Sequence, residues 1–360
     1  MKKIAIIGSG LFGLATAFVL SKRYKIDLYE KENSILNGAS SSNQLRFHLG
    51  YHYPRSVKTL LEVQKTNIEF IKFYGKSIFG KTLNFYGVSK INSKTSFKKY
   101  LKFLKNNKLH YKKINLKEFS KYIEGSIISK EKNLNFFQIK KKIEKKISYG
   151  IKKNKIKLLL NTEFKKNLIS KYDKVIIATY DQNNVVLKKL GFKPKIKFKF
   201  ELVEKIIIKL PNKYKNRSYM VIDGKFICLD PYLGTKYHLL SSNKFSKIEV
   251  KNSYYPNFSS PIKKFLNKGI IKNKKISGFK KFIKHGSIFM DFLKDAKYIG
   301  SFFVVRAVEA NKEKTDERLN RIDIINKKII TLFSGKWNTS ISTAKTLSGL
   351  LKNERSWDFN

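Results

Sequence analysis

The residues with the plainest chemical meaning stand at the start of the chain. Gly8, Gly10 and Gly13 follow the apolar run Ile4–Ile7 in the spacing G-x-G-x-x-G, and Glu30 closes a second run, Ile26-Asp27-Leu28-Tyr29. In a strand–turn–helix–strand unit each has a physical task. Gly8 permits the tight turn, Gly10 lets the backbone approach a pyrophosphate, and Gly13 lets the helix pack hard on the strand. The amides at the helix start, with the helix dipole behind them, favour a diphosphate. Glu30 can then accept hydrogen bonds from the two hydroxyls of an adenosine ribose, which favours FAD or NAD over NADP. The competing reading is a secretory signal, because two lysines precede a mostly apolar stretch from Ile4 to Leu20. The glycine register, the lack of a small-x-small cleavage site at Ser21-Lys22-Arg23 and the acid-ended second strand all oppose it.

A second group of reactive side chains follows Glu30. The small polar loop Asn37–Gln44, which includes Ser42 and Asn43, suits phosphate and ring contacts, and it leads into Leu45–Ser56 with His48, His52 and Tyr53. His48 and His52 are four apart, but Gly50 lies between them and no third ligand is near, so no metal site is expected. His48 suits a hydrogen bond to a cofactor ring or general-base work.

These residues need elements to position them. A helix is expected from the cap Ser56, with Val57, Leu60, Leu61, Ile68 and Ile71 inward, and others over Ser96–Asn106 and Phe136–Ile151. Strands are expected at Leu83–Ile91, Ile156–Leu160 and Lys174–Thr179. From Ile196 to about Leu240 the pattern is of hairpins, which build an antiparallel sheet. Two amphipathic helices are expected between Ser259 and Leu293, then a buried strand Tyr298–Val305, a charged loop Glu309–Arg318, and a strand and helix to Leu351.

With 360 residues, 42% of them hydrophobic, the chain can bury a substantial core. Its 77 Lys and Arg against 26 Asp and Glu give a net charge of +51, a value that would suit a nucleic-acid or anionic-membrane partner. The charge is mostly lysine, spread along the whole chain beside abundant Ile, Asn, Phe and Tyr. This is the mark of an AT-rich coding sequence, so no specific nucleic-acid partner is expected. Cys228 is the only cysteine, which rules out an intrachain disulfide. No stretch has the length and apolarity of a membrane span, and a cytoplasmic protein is expected.

The opening fingerprint with Glu30, the strand end Ala178-Thr179 and the closing Ser334-Gly335-Lys336-Trp337-Asn338-Thr339 together resemble the FAD-dependent D-amino-acid-oxidase-like superfamily. The loop Asn43–Tyr53, with Asn43, His48, Gly50 and Tyr53, is similar to that of L-2-hydroxyglutarate dehydrogenase. The Gly335–Thr339 segment is similar to glycerol-3-phosphate dehydrogenase. The chain departs from its relatives at Tyr180, where they usually carry glycine. The resemblance implies a flavin lying between two domains, with Gly335, Lys336, Trp337 and Thr339 at its pyrimidine end and positive charge there stabilising the reduced flavin anion. It also implies that Arg306 pairs with a substrate carboxylate, and that Tyr232, Tyr237, His238 and His52 line the substrate cavity. Thr315, Asp316 and Arg318 would order a loop over the flavin.

The expected fold is α/β: a Rossmann-like FAD-binding domain from residues 1–82, 134–195 and 298–360, and an inserted α+β substrate domain, residues 83–133 and 196–297, on a mixed or antiparallel sheet. The expected function is hydride transfer from a small anionic amine or hydroxy acid to flavin N5, with His48, Tyr53 and Arg306 catalytic and oxygen or another acceptor taking the electrons. Two alternatives compete. His48-x-Gly50-x-His52 resembles the flavin loop of UDP-galactopyranose mutase, and a non-catalytic protein binding nucleic acid through its lysines is the other.

Overall fold

The apolar run after Lys2 is a strand because both of its faces are covered. A computed structural model describes residues 1–310, 320–333 and 335–353. In it Lys3–Ile7 lies between the parallel strands Lys25–Tyr29 and Lys174–Ile177, and Ile4, Ala5 and Ile6 have almost no exposed surface. These three belong to a six-stranded sheet in the order Arg321–Ile324, Ile329–Phe333, Lys174–Ile177, Lys3–Ile7, Lys25–Tyr29, Ile156–Leu159, with only the first strand antiparallel. Helix Leu11–Leu20 covers one face of this sheet and packs on helices Phe136–Lys152 and Ser340–Lys352. Helix Asn183–Lys189 and the cluster of Val175, Ile177, Leu187 and Leu190 cover the other.

The second sheet has nine strands. Its order is Lys247–Ser253, Phe198–Lys209, Tyr237–Ser242, Ile227–Tyr232, Arg217–Ile222, Leu83–Ser89, Ile123–Ser129, Tyr111–Ile114, and Lys297–Glu309 runs along the free side of Phe198–Lys209. Only Leu83–Ser89 and Arg217–Ile222 pair in parallel, so the sheet is mixed. One hydrophobic core joins the two sheets, since Ile4, Leu14 and Ile176 share it with Ile207, Tyr232, Leu239 and Phe302. A short ribbon, Arg46–Phe47 against Lys132–Asn133, also lies between them.

Several expectations are corrected. In helix Val57–Tyr74 the buried stripe is Leu60, Val63, Phe70 and Tyr74, whereas Val57, Leu61 and Ile68 face solvent, Ile68 at 72% exposure. Between Ser259 and Leu293 one α-helix forms, Phe279–Gly286; the rest is 3-10 turns, because the apolar residues there do not repeat at helical spacing for more than two turns. Strands Tyr111–Ile114, Ile123–Ser129, Lys247–Ser253 and Arg321–Ile324 were not expected. Ser334, Thr315, Asp316 and Arg318 lie outside the described residues.

Candidate functional site

The dinucleotide fingerprint folds as its glycines require. Gly8 has φ +99°, and a Cβ there would sit 2.9 Å from the Ala178 carbonyl oxygen. A Cβ on Gly13 would meet the Gly8 carbonyl oxygen at 1.9 Å, so helix and turn touch as only glycine allows. Ala178 is the small residue this crowding needs, and its amide donates to Ile7 O at 2.9 Å. Above Gly10 an added Cβ would meet only Ser40 Oγ, at 3.4 Å, and that hydroxyl accepts from Leu11 N at 3.1 Å. The first helical turn thus already holds an oxygen acceptor of the kind a phosphate would present.

Glu30 emerges from the strand end with its carboxylate turned back on the turn. Its Oε2 accepts from Ser9 N and Ser9 Oγ, both at 2.8 Å, and its Oε1 from Glu32 N at 3.0 Å. In the following loop Ser42 is buried, and Asn43 Oδ1 accepts from Leu45 N at 3.0 Å, holding Leu45 in a left-handed turn at φ 58°. Gln44 Nε2 donates to Asp230 Oδ2 and to Leu239 O, while its buried Oε1 has no hydrogen-bond partner among the described residues.

The structure brings His48, His52, Tyr53 and Lys336 together. The two imidazoles are 5.6 Å apart and nearly parallel, and the Tyr53 ring lies 5.3 Å from His48 and 5.4 Å from His52. Lys336 Nζ sits 4.7 Å over the Tyr53 ring. Nothing would touch a Cβ on Gly335, so the backbone beside this lysine faces open space. Asn338 Nδ2 donates to Asn67 Oδ1 at 2.8 Å, and Asn67 Nδ2 donates to His48 O at 2.9 Å, tying the histidine loop to the carboxy-terminal segment. Thr339 Oγ1 donates to Asn320 Oδ1 at 2.8 Å, and Asn320 Nδ2 donates to Glu62. Burial pushes the Glu62 carboxyl above its ordinary value, with Lys336 pulling the other way.

Trp337, Phe136, Phe137, Tyr232 and Phe302 form a continuous run of rings with centroids 5.6–6.3 Å apart, so Trp337 and Tyr232 belong to one wall between the sheets. Tyr237 pairs with Tyr232 across the hairpin. His238 is placed elsewhere. It is buried, its Nε2 lies 2.9 Å from Tyr214 O, and burial lowers its pKa, which marks it as a packed core residue.

Arg306 lies on the same strand face as Phe302 and Val304, with its Nε 2.5 Å from Oε2 of Glu201. Glu201 is buried, and Lys247 approaches its other oxygen at 2.7 Å. Burial alone would raise the Glu201 carboxyl, but Arg306 and Lys247 outweigh it and hold it below the usual range. The expected carboxylate clamp is therefore already engaged, through Nε, by a carboxylate of the chain.

One buried charge cluster was not anticipated. Arg46 is held by Asp230 at 2.6 Å and Glu131 at 3.2 Å, with Ser218, Tyr86 and Cys228 around it. Burial opposes the ionisation of both carboxylates, but their contacts, Arg46 in both cases and His48 for Glu131, keep each below its ordinary value. Asp230 could have been suspected as an acid inside the apolar strand Ile227–Tyr232; Glu131, between Lys130 and Lys132, reads in sequence as surface.

Residues 3–88 match the DAO family model, described as FAD dependent oxidoreductase. The chain carries the FAD-binding segment and the fold of the DAO-like FAD-dependent oxidoreductases. FAD is the cofactor that the description of this family names. Among solved structures, this DAO-like chain resembles glycine oxidase from Geobacillus kaustophilus over 100% of its length and 97% of that chain, with a TM-score of 0.67 at 12% identity. L-Proline dehydrogenase from P. horikoshii gives a TM-score of 0.69 at 13% identity, covering 98% of this chain and 93% of that one. L-alpha-Glycerophosphate oxidase from Mycoplasma pneumoniae, solved with FAD bound, gives 0.68 at 14%, covering 98% and 95%. The curated relatives are fungal. The FAD-dependent monooxygenase FPY4 of Fusarium mangiferae is 30% identical over 98 residues, 27% of each chain, and the FAD-dependent monooxygenase kojA of Aspergillus flavus is 32% identical over 73, which is 20% of this chain and 17% of that one. The match thus spans about a quarter of the first relative's length. None of the described helices is long and apolar enough to cross a membrane.

Proposed function

We propose that the protein oxidises a small amine or hydroxy acid, with the six-stranded part, 1–82, 134–195 and 320–353, binding FAD and the nine-stranded part, 83–133 and 196–297 together with the strand Lys297–Glu309 that pairs with it, forming the substrate wall. The observation that carries this reading is the convergence of His48, His52, Tyr53 and Lys336 between the dinucleotide fold and the second sheet. When bound, FAD supplies the acceptor for the electron pair of the substrate's C–H bond.

The protein's own residues then have distinct tasks. Gly8, Gly10 and Gly13 admit the diphosphate to the helix start, and Glu30 holds the adenosine ribose. Ser42, Asn43, Ala178, Trp337 and Thr339 shape the walls of the cofactor's binding groove. Lys336 and the amides after Gly335 provide positive charge for the anionic cofactor ring. His48 takes the proton from the substrate hydroxyl or amine, and His52, Tyr53, Tyr232 and Tyr237 enclose the reacting carbon. Glu201 fixes Arg306 through Nε, so its terminal nitrogens are oriented to grip a substrate carboxylate.

The test begins with the absorbance spectrum of the purified protein. Anaerobic mixing with amino acids, 2-hydroxy acids and glycerol 3-phosphate follows. Bleaching by one of them identifies the substrate class, whereas a flavin that none of them bleaches counts against the reading. A colourless protein that cannot take up FAD would overturn it.

A further inference from the structure

The Glu131 side chain is fully buried, in a strand-end position that packs against the histidine loop. Its two oxygens are divided between different partners. Oε2 holds Arg46 at 3.2 Å and accepts from Tyr86, while Oε1 accepts from Leu49 N at 3.0 Å and lies 3.4 Å from His48 Nδ1. The imidazole is turned slightly off the line of a hydrogen bond, so the contact to Oε1 is electrostatic in this geometry.

Three further observations bear on this contact. First, the cluster of Arg46, Glu131 and Asp230 contains two carboxylates and one guanidinium, a net charge of one negative. A proton taken up by His48 would balance it. Second, the His48 backbone is fixed from the other side by Asn67, which Asn338 holds in turn, so the ring pivots between a buried acid and the rings of His52 and Tyr53. Third, a fully ionised carboxylate can only accept hydrogen bonds, and therefore fixes which imidazole nitrogen carries the proton.

We infer that Glu131 is the positioning residue for His48, holding the neutral ring with its proton on Nδ1 and leaving Nε2, on the opposite side, as the atom that accepts the substrate proton. The inference rests on the proposed oxidation for the role of His48, but the tautomer itself can be read without substrate. Arg46 acts one step further back. It fixes the Glu131 carboxylate so that one oxygen remains for the histidine loop.

The same geometry predicts the effect of Glu131→Gln. An amide must direct its oxygen to the Arg46 guanidinium and the Tyr86 hydroxyl, because a second donor facing Arg46 would be repelled. Its NH2 group then faces His48 Nδ1, which can only accept. The tautomer reverses and the proton moves to Nε2, at the additional loss of the acceptor for Leu49 N.

Long-range proton–nitrogen correlation spectra of FAD-loaded protein labelled with 15N-histidine read this directly. The chain has five histidines, so His48→Gln assigns the signal by its disappearance. The expected result is the Nδ1–H form in the unsubstituted protein and a switch to Nε2–H in Glu131→Gln, with the bound flavin spectrum unchanged. A residue of purely structural importance would leave the tautomer as it is. An Nε2–H form in the unsubstituted protein overturns the inference even where Glu131→Gln fails to fold, and an identical tautomer in both proteins overturns it as well. Failure to bind FAD would instead count against the proposed function, leaving the tautomer result to stand by itself.

Discussion

The phenolic oxygen of Tyr180 accepts a hydrogen bond from Ala307 N at 3.0 Å and donates one to Ala307 O at 2.9 Å. The resemblance drawn from the sequence implies glycine at this position, and the Tyr180 backbone is left-handed, φ 56°. That conformation costs a side chain on the order of 1–2 kcal/mol. The phenol offsets the cost by pairing with the strand beside Arg306, and its ring stacks on Phe333 at 5.5 Å. Tyr180→Phe keeps the strain and the stacking but leaves the strand's N–H and C=O without this partner. It should lower unfolding stability by about 1–3 kcal/mol, measured by denaturant titration. An unchanged midpoint would mean that water replaces the phenol.

Gly13→Ala tests the close approach of helix and turn. With an added methyl 1.9 Å from the Gly8 carbonyl oxygen, backbone must move. Overpacking of this kind costs roughly 1–3 kcal/mol and displaces the helix start that faces the diphosphate. The variant should be purified largely without flavin, as read from the ratio of visible to protein absorbance. Normal flavin content would show that the turn can yield without loss of the site.

For Glu30→Gln the fold should survive, because the amide oxygen can still accept from Ser9 N and Oγ and only the exposed bond from Glu32 N is lost. What is lost is a charged acceptor for the ribose. Hydrogen bonds to charged groups contribute about 1.5–3 kcal/mol, so FAD should bind roughly 10- to 100-fold more weakly by fluorescence titration. Equal affinity would place the ribose elsewhere.

Asp181, in the turn that follows Tyr180, is half-buried, and burial raises its carboxyl to about 6. A raised folded-state pKa means that the folded protein binds the proton more tightly than the unfolded one. Its stabilising contribution is therefore complete below pH ~4 and lost as the pH rises through about 6. Asp181→Asn should flatten this part of the stability profile, gaining on the order of 1 kcal/mol over the unsubstituted protein at pH 8 after allowance for solvent screening. Parallel denaturant titrations at pH 4 and pH 8 check both arms.

The βαβ unit was legible in the sequence because glycine spacing and an acid-ended strand report backbone geometry directly. Ser56 and Ser96 marked helix starts correctly, each accepting from the amide three residues on. The phase of helix Val57–Tyr74 was not legible, because a neighbouring stripe of Val57, Leu61 and Ile68 is equally apolar, and only packing against the closing helix chooses between the two. Strand Tyr111–Ile114 is an edge with half of its residues exposed, so it lacks an apolar alternation. In the site, His48, His52, Tyr53 and Lys336 were visible as residue types. Glu131 was not, because nothing in Lys130-Glu131-Lys132 reveals that the middle side chain turns inward to a distant arginine.

The last prediction concerns Arg306 and Glu201. A guanidinium engaged through Nε by a buried carboxylate is oriented, and its fork then presents two terminal nitrogens in a fixed plane. Lysine at this position would keep a charge near Glu201 but supply neither the fork nor the plane. Arg306→Lys should therefore retain most of the stability, since Lys247 still pairs with the other Glu201 oxygen at 2.7 Å. Its KM for a carboxylate substrate should nevertheless rise by about 10- to 100-fold, the equivalent of one charged, bidentate contact. Arg306→Ala should do both, weakening substrate binding and destabilising the fold, because Glu201 would lose its nearest countercharge while staying buried. Steady-state kinetics beside thermal unfolding separates the two effects. If Arg306→Ala loses stability while KM is unaffected, Arg306 serves only to neutralise Glu201, and the substrate is held by other groups.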